Sequence, residues 1–103
     1  MAQWIEVCPL EDIDDEDVVR FDHGGRTYAV YRFQDKVWAS DGWCTHEQAH
    51  LADGLLMEHV IECPKHNGRF DIRDGHALGA PVCVNLKTFP ARIEAGVVHI
   101  QID

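Results

Sequence analysis

Asp41-Gly42-Trp43-Cys44-Thr45-His46-Glu47-Gln48-Ala49-His50-Leu51-Ala52-Asp53-Gly54 is followed, eight residues on, by Cys63-Pro64-Lys65-His66-Asn67-Gly68. Each segment holds one Cys and one His at close spacing, C-x-H and then C-x-x-H, with sixteen residues between the motifs. Neither segment follows a strand pattern, whereas Leu55 to Glu62 between them is rich in apolar and β-branched residues and reads as a strand. That strand is expected to carry the chain away and bring it back, so that the two loops meet as a pair of fingers. Loops on a rigid β frame are common seats of binding chemistry, because the frame fixes their ends while their side chains converge.

Outward from these loops the chain is a series of short β-rich runs bounded by turn residues: Trp4 to Cys8, Val18 to Asp22, Thr27 to Phe33, Lys36 to Ser40, Arg69 to Ile72, Thr88 to Glu94 and Val97 to Ile100. Ala95-Gly96 reads as a tight hairpin turn, and His23-Gly24-Gly25 and Asp74-Gly75 as two more. No segment keeps a 3.6-residue apolar period, and the acidic stretch before Val18 allows at most one short helical turn. The expected class is all-β, an antiparallel sandwich or barrel without repeat, linker or low-complexity segment. At 103 residues the chain is long enough for one core and no more, so a single domain over 1–103 is expected.

Nine basic and eighteen acidic side chains leave a formal charge of −9, with six of the seven residues from Glu11 to Asp17 acidic. Nucleic acid is excluded as a natural partner, because phosphate binding needs clustered cations. An acidic surface can steer encounters with basic patches on other proteins, or serve solubility alone. No run is apolar enough to span a bilayer, so no membrane role is expected. The start, Met1-Ala2-Gln3-Trp4-Ile5-Glu6, lacks the basic and apolar regions of a signal peptide, which points to the cytoplasm. There Cys8, Cys44, Cys63 and Cys83 are expected as thiols or metal ligands rather than disulfides.

Two thiolates and two imidazoles, one of each per loop, suit a [2Fe-2S] centre in which a pair of histidines replaces a pair of cysteines on one iron. Two ferric ions, two sulfides and two thiolates sum to about zero charge, so reduction leaves only a monoanion and the potential exceeds that of an all-Cys centre. Structural zinc is the rival, since tetrahedral zinc takes the same side chains. Zinc fingers of this composition generally pair two Cys and then two His, whereas each loop here mixes the two types. His46-Glu47-Gln48-Ala49-His50 also matches H-E-x-x-H, but that signature needs a helix to bring both imidazoles to one face, and Asp41-Gly42 and Asp53-Gly54 confine this segment to a short loop.

Cys44-Thr45-His46-Glu47-Gln48-Ala49, Asp53-Gly54, Cys63-Pro64-Lys65-His66-Asn67-Gly68-Arg69-Phe70-Asp71 and Gly79-Ala80-Pro81 together resemble the Rieske-type [2Fe-2S] ferredoxins that serve bacterial aromatic-ring-hydroxylating oxygenases. The resemblance covers nearly the whole chain. It implies a base of antiparallel sheets with a smaller cluster-binding subdomain, here about 41–81. It implies that Cys44 and Cys63 hold the inner iron and His46 and His66 the outer one, with Gly79-Ala80-Pro81 packing over the cluster. It also implies an electron carrier, not an enzyme, that takes electrons from a flavoprotein NAD(P)H reductase and passes them to a terminal oxygenase, docking as a monomer. The oxygenase itself needs a second iron site and a large pocket, for which this length leaves no room. The small Rieske-like subunit of a nitrite reductase is the other redox reading.

High-potential relatives brace the two loops with a disulfide, and Ala49 and Lys65 stand where those cysteines would be. Gly68 and Phe70 stand where such relatives aim Ser and Tyr hydroxyls at the cluster sulfurs. Fewer hydrogen bonds to sulfur lower the potential, so a value on the order of −150 mV is expected. Cys8 and Cys83 are expected as small buried hydrophobes, His23, His59, His76 and His99 as surface or packing residues, and Trp38 and Trp43 as core. His50 is left open by its position in the first loop, and Lys65 and Arg69 are cations that either tune the centre or meet solvent.

Overall fold

The computed structural model describes residues 2–45, 48–65, 67–80 and 84–102. Ten strands form three antiparallel sheets: β1 (Gln3–Pro9), β10 (Val97–Ile102) and β9 (Ala91–Glu94) in one, β2 (Asp17–His23), β3 (Arg26–Phe33), β4 (Lys36–Asp41) and β8 (Thr88–Phe89) in the second, β5 (Leu55–Met57), β6 (Val60–Glu62) and β7 (Arg69–Asp71) in the third. The expected all-β class holds. Among the described residues the only helical pieces are single 3₁₀ turns, Leu10–Asp12 and Leu51–Asp53.

Tight turns set the registers. Gly24-Gly25, Gln34-Asp35 and Ala95-Gly96 are two-residue loops between paired strands, with φ of 59° and 78°, 52° and 60°, and 51° and 77°. Positive φ at both central residues is what a type I′ turn requires, and its twist matches that of the strands it joins. The Asp74-Gly75 reversal also forms, closed by the Asp71 amide on the His76 carbonyl at 2.9 Å and by a bridge from Phe70 to Ala77.

Two expected strands are split. Leu55 to Glu62 is a hairpin rather than one strand, because the chain turns at Glu58, φ 55°, and pairs Met57 with Val60. Thr88 to Glu94 breaks at Pro90, which has no amide hydrogen for a ladder. There the chain leaves the four-stranded sheet as β8 and enters the β1-β10-β9 sheet as β9.

β3 organises the interior. Its residues Tyr28, Ala29, Val30 and Tyr31 are all at most 1% exposed, so the strand is covered on both faces. Successive side chains point to opposite faces. Tyr28 and Val30 therefore join a core with Val98, Ile100 and Ile102 of β10, while Ala29 and Tyr31 join one with Leu51, Leu56, Ile61, Cys63 and Phe70. The four-stranded sheet is the middle layer, with the β1-β10-β9 sheet on one side and the loop-bearing β5–β7 unit on the other. The Tyr31 hydroxyl donates to Ser40 Oγ at 2.7 Å, and Ser40 donates onward to the Asp41 carbonyl at 2.9 Å, so these two buried hydroxyls are paired.

Candidate metal centre

Both fingers close in the same way. The Cys44 amide donates to the Ala49 carbonyl at 2.9 Å, and the Cys63 amide to the Gly68 carbonyl at 2.6 Å. Each bond joins residues five apart, and that finger's histidine lies between them in the sequence. His46 and His66 themselves, with Glu47, Pro81, Val82 and Cys83, lie outside the described residues. Among the described residues no group of three or more His, Cys, Asp or Glu side chains is placed to hold a metal.

The β5–β6 hairpin brings the finger bases side by side. Leu55 pairs with Glu62, so Gly54 at the end of the first finger lies beside the start of the second. A Cβ on Gly54 would sit 2.1 Å from the Glu62 carbonyl oxygen, closer than any side chain tolerates. Only glycine permits this approach. Cys44 and Cys63 are 7% and 1% exposed and share one apolar core with Ala49, Leu51, Leu56, Ile61, Phe70 and Leu86. Two buried cysteines on adjacent fingers fit the inner side of an asymmetric diiron centre.

A third loop lies against the first finger. Thr45 Oγ1 donates to the Val84 carbonyl at 2.7 Å, the Leu86 amide to the Gly75 carbonyl at 2.8 Å, and the Ala77 amide to Asn85 Oδ1 at 2.9 Å. Gly75, φ 80°, would place a Cβ 2.2 Å from the Leu86 carbonyl oxygen, so it too is a point of close approach. This is the segment that begins with Gly79 and Ala80, both exposed.

Several neighbouring residues differ from expectation. Trp43 is 44% exposed rather than core, with the Arg20 guanidinium 5.7 Å from its ring centre. Trp38 is half-buried, and the His59 ring stands edge-on between it and Phe33, with ring centres 5.2 and 5.0 Å away. His59 thereby ties the β5–β6 turn to β3 and β4, a packing role as expected. Arg69 is exposed and pairs across the ladder with Glu62 at 2.9 Å, and Lys65 is exposed. Cys8 is half-buried in β1, and burial, aided by Asp12, pushes its thiol up.

H-E-x-x-H takes no α-helical form over its described part. Gln48 and Ala49 are irregular, and His50 precedes the 3₁₀ turn Leu51–Asp53 as its N-cap. His50 is 4% exposed with both ring nitrogens engaged, Nδ1 by the Ala52 amide at 3.0 Å and Nε2 by Thr27 Oγ1 at 2.8 Å. Thr27 and Gly42, which accommodate this ring, were not legible as site residues, since neither carries ligand chemistry and the contact spans two sheet strands and a loop.

A model of the Rieske [2Fe-2S] domain matches residues 3–90. The chain belongs to the Rieske [2Fe-2S] domain family. Its cofactor is a Rieske-type [2Fe-2S] cluster. The chain is 45% identical, over 99% of its length and 96% of the relative's, to the ferredoxin component of the naphthalene 1,2-dioxygenase system of Pseudomonas putida. Among solved structures it is similar to a Sphingomonas yanoikuyae B1 ferredoxin, with a TM-score of 0.91 at 34% identity over 98% of this chain and 100% of that one. It is also similar to a chain in the complex of reduced oxygenase and oxidized ferredoxin in carbazole 1,9a-dioxygenase, with a TM-score of 0.89 at 35% identity over 94% and 91% of the two chains. The naphthalene 1,2-dioxygenase relative is named as a ferredoxin component and the Sphingomonas yanoikuyae B1 protein as a ferredoxin.

Proposed function

We propose that this chain is the ferredoxin of an aromatic-ring-hydroxylating oxygenase system, taking single electrons from an NAD(P)H-dependent flavoprotein reductase and delivering them to the terminal oxygenase. Cys44, His46, Cys63 and His66 are its cluster ligands, the two thiolates inward and the two imidazoles outward. The whole of residues 1–103 acts as one Rieske domain, with 41–81 as its cluster-binding part, working as a cytoplasmic monomer. The observation that carries the reading is the pair of identically closed fingers, each with a buried cysteine at its base and one histidine within its span.

When bound, the cluster would supply one-electron redox chemistry between a near-neutral oxidised state and a monoanionic reduced one. The protein's own residues do the rest. Gly54 lets the fingers lie close, Leu51, Leu56, Ile61 and Phe70 keep water from the sulfurs, and the 44–49 and 63–68 amide bonds hold the loops in one shape through both redox states. An acidic surface steers partners with basic rims, so transfer slows as salt rises. No helix among the described residues is long and apolar enough to cross a membrane.

The test is reconstitution with a purified reductase and terminal oxygenase. Hydroxylation of an aromatic substrate at the expense of NAD(P)H should require this chain and stop when Cys63 is replaced by Ala. Turnover at the same rate without the chain, or a chain that the reductase never reduces, would refute the assignment.

A further inference from the structure

His50 has its proton placed by its neighbours. The Ala52 amide can only donate, so Nδ1, 3.0 Å away, accepts and carries no hydrogen. The hydrogen of a neutral ring is then on Nε2, which donates to Thr27 Oγ1 at 2.8 Å, and the Thr27 hydroxyl donates to Asp22 Oδ1 at 2.6 Å. The series begins at a group that only donates and ends at a carboxylate that only accepts, so every bond in it has one direction. It runs from the first finger through β3 to β2.

The ring is also lodged by shape. A Cβ on Gly42 would come within 2.4 Å of Nε2, and Trp43 meets the imidazole edge-on at 5.3 Å between ring centres. On either side of it the Leu51 amide binds the Gly42 carbonyl at 2.8 Å and the Cys44 amide binds the Ala49 carbonyl. The charged groups facing it are Arg20 and Asp22 from β2, Asp53 from the 3₁₀ turn and Lys65 from the second finger, which lines the same 470 Å³ groove.

We propose that His50 is a positioning residue whose neutral imidazole fastens the Cys44 finger to β3 through Thr27, and that uptake of one proton by His50 unfastens the finger. A second ring proton must go on Nδ1, where it meets the Ala52 amide donor to donor. The cap on the 3₁₀ turn is then lost and the ring has to leave its place against Gly42. Burial is the largest influence against the charged form and Arg20 adds to it, while Asp53 and Asp22 oppose them less strongly. The proposal rests on the ferredoxin reading only in taking Cys44 as a ligand.

Hydrogen exchange over residues 42–53 of the protein as isolated, followed by mass spectrometry from about pH 8 to about pH 5.5 and corrected for intrinsic rates, tests it. His50→Asn retains an N-cap acceptor for Ala52, cannot reach Thr27 and cannot take up charge. Thr27→Val removes the tie and leaves His50 able to titrate. The unaltered protein should exchange roughly tenfold faster at the acid end. His50→Asn should start several-fold faster at pH 8 and gain nothing further from acid, and Thr27→Val should start faster and still respond to acid. An acid response in His50→Asn equal to that of the unaltered protein overturns the proposal, as does unchanged exchange at pH 8 in Thr27→Val should His50→Asn fail to fold. Iron and sulfide content of the same samples reports on the cluster separately, so loss of that reading would leave the exchange result standing or falling by itself.

Discussion

At the scale of single residues, the proposed ligands and the scaffold cysteine should respond differently to substitution. His46→Ala or Cys63→Ala is expected to abolish the visible spectrum of the cluster, while Cys8→Ala, half-buried in β1, should leave it intact. A full Rieske spectrum in either of the first two variants would overturn the ligand set. His50 also bears on stability. Its folded-state affinity for protons is lowered by burial, so the unfolded chain binds more protons in mild acid, and the stability this residue contributes is complete above about pH 6.5 and declines as pH falls below that value. Urea denaturation at a series of pH values should show this decline, and its absence in His50→Asn would assign it to His50. The C-x-H and C-x-x-H spacing is what makes Cys44, His46, Cys63 and His66 the proposed ligands, because paired thiolates and imidazoles at that spacing have few other uses. The tie from His50 to Thr27 and Asp22 was not legible, because it joins residues 23 and 5 apart whose types are common anywhere on a protein.

At the scale of elements, the β5–β6 hairpin and its glycine bring the fingers together. Gly54→Ala must push the Glu62 carbonyl away from the base of the second finger, at a cost of about 1–3 kcal/mol as for other overpacked sites. Faster loss of cluster absorbance in that variant, with a lower thermal midpoint, is the expected outcome; an unchanged half-life would mean that the finger bases need not be so close. Strand composition and Gly-containing turns made most elements readable, and the Gly24-Gly25 and Ala95-Gly96 hairpins formed where expected. The split at Pro90 was there to be read from its missing amide hydrogen. The turn at Glu58-His59 was not, since neither residue is a turn former, and what fixes it is tertiary: the Glu58 amide donates to Glu16 at 2.8 Å and His59 wedges between Phe33 and Trp38.

At the scale of the whole molecule, three layers with a radius of gyration of 12.6 Å bury Cys44 and Cys63 in one apolar core at the base of the two fingers. With Gly68 and Phe70 contributing no hydroxyl toward the sulfurs, the midpoint potential is expected on the order of −150 mV, and a voltammetric value well above zero would count against this view of the cluster's surroundings. The potential should also fall as pH rises into the alkaline range, because ferric iron withdraws more charge from its imidazoles and they lose protons more readily in the oxidised state. Trp43 was not legible at this scale: a large aromatic is ordinarily core, yet the layers leave it 44% exposed beside Arg20. Mixed sulfur and nitrogen ligation of a diiron centre by two fingers is tested most directly by the iron and acid-labile sulfide content of folded protein prepared without oxygen. About two of each per chain are expected. One zinc per chain with neither iron nor sulfide would contradict that ligation.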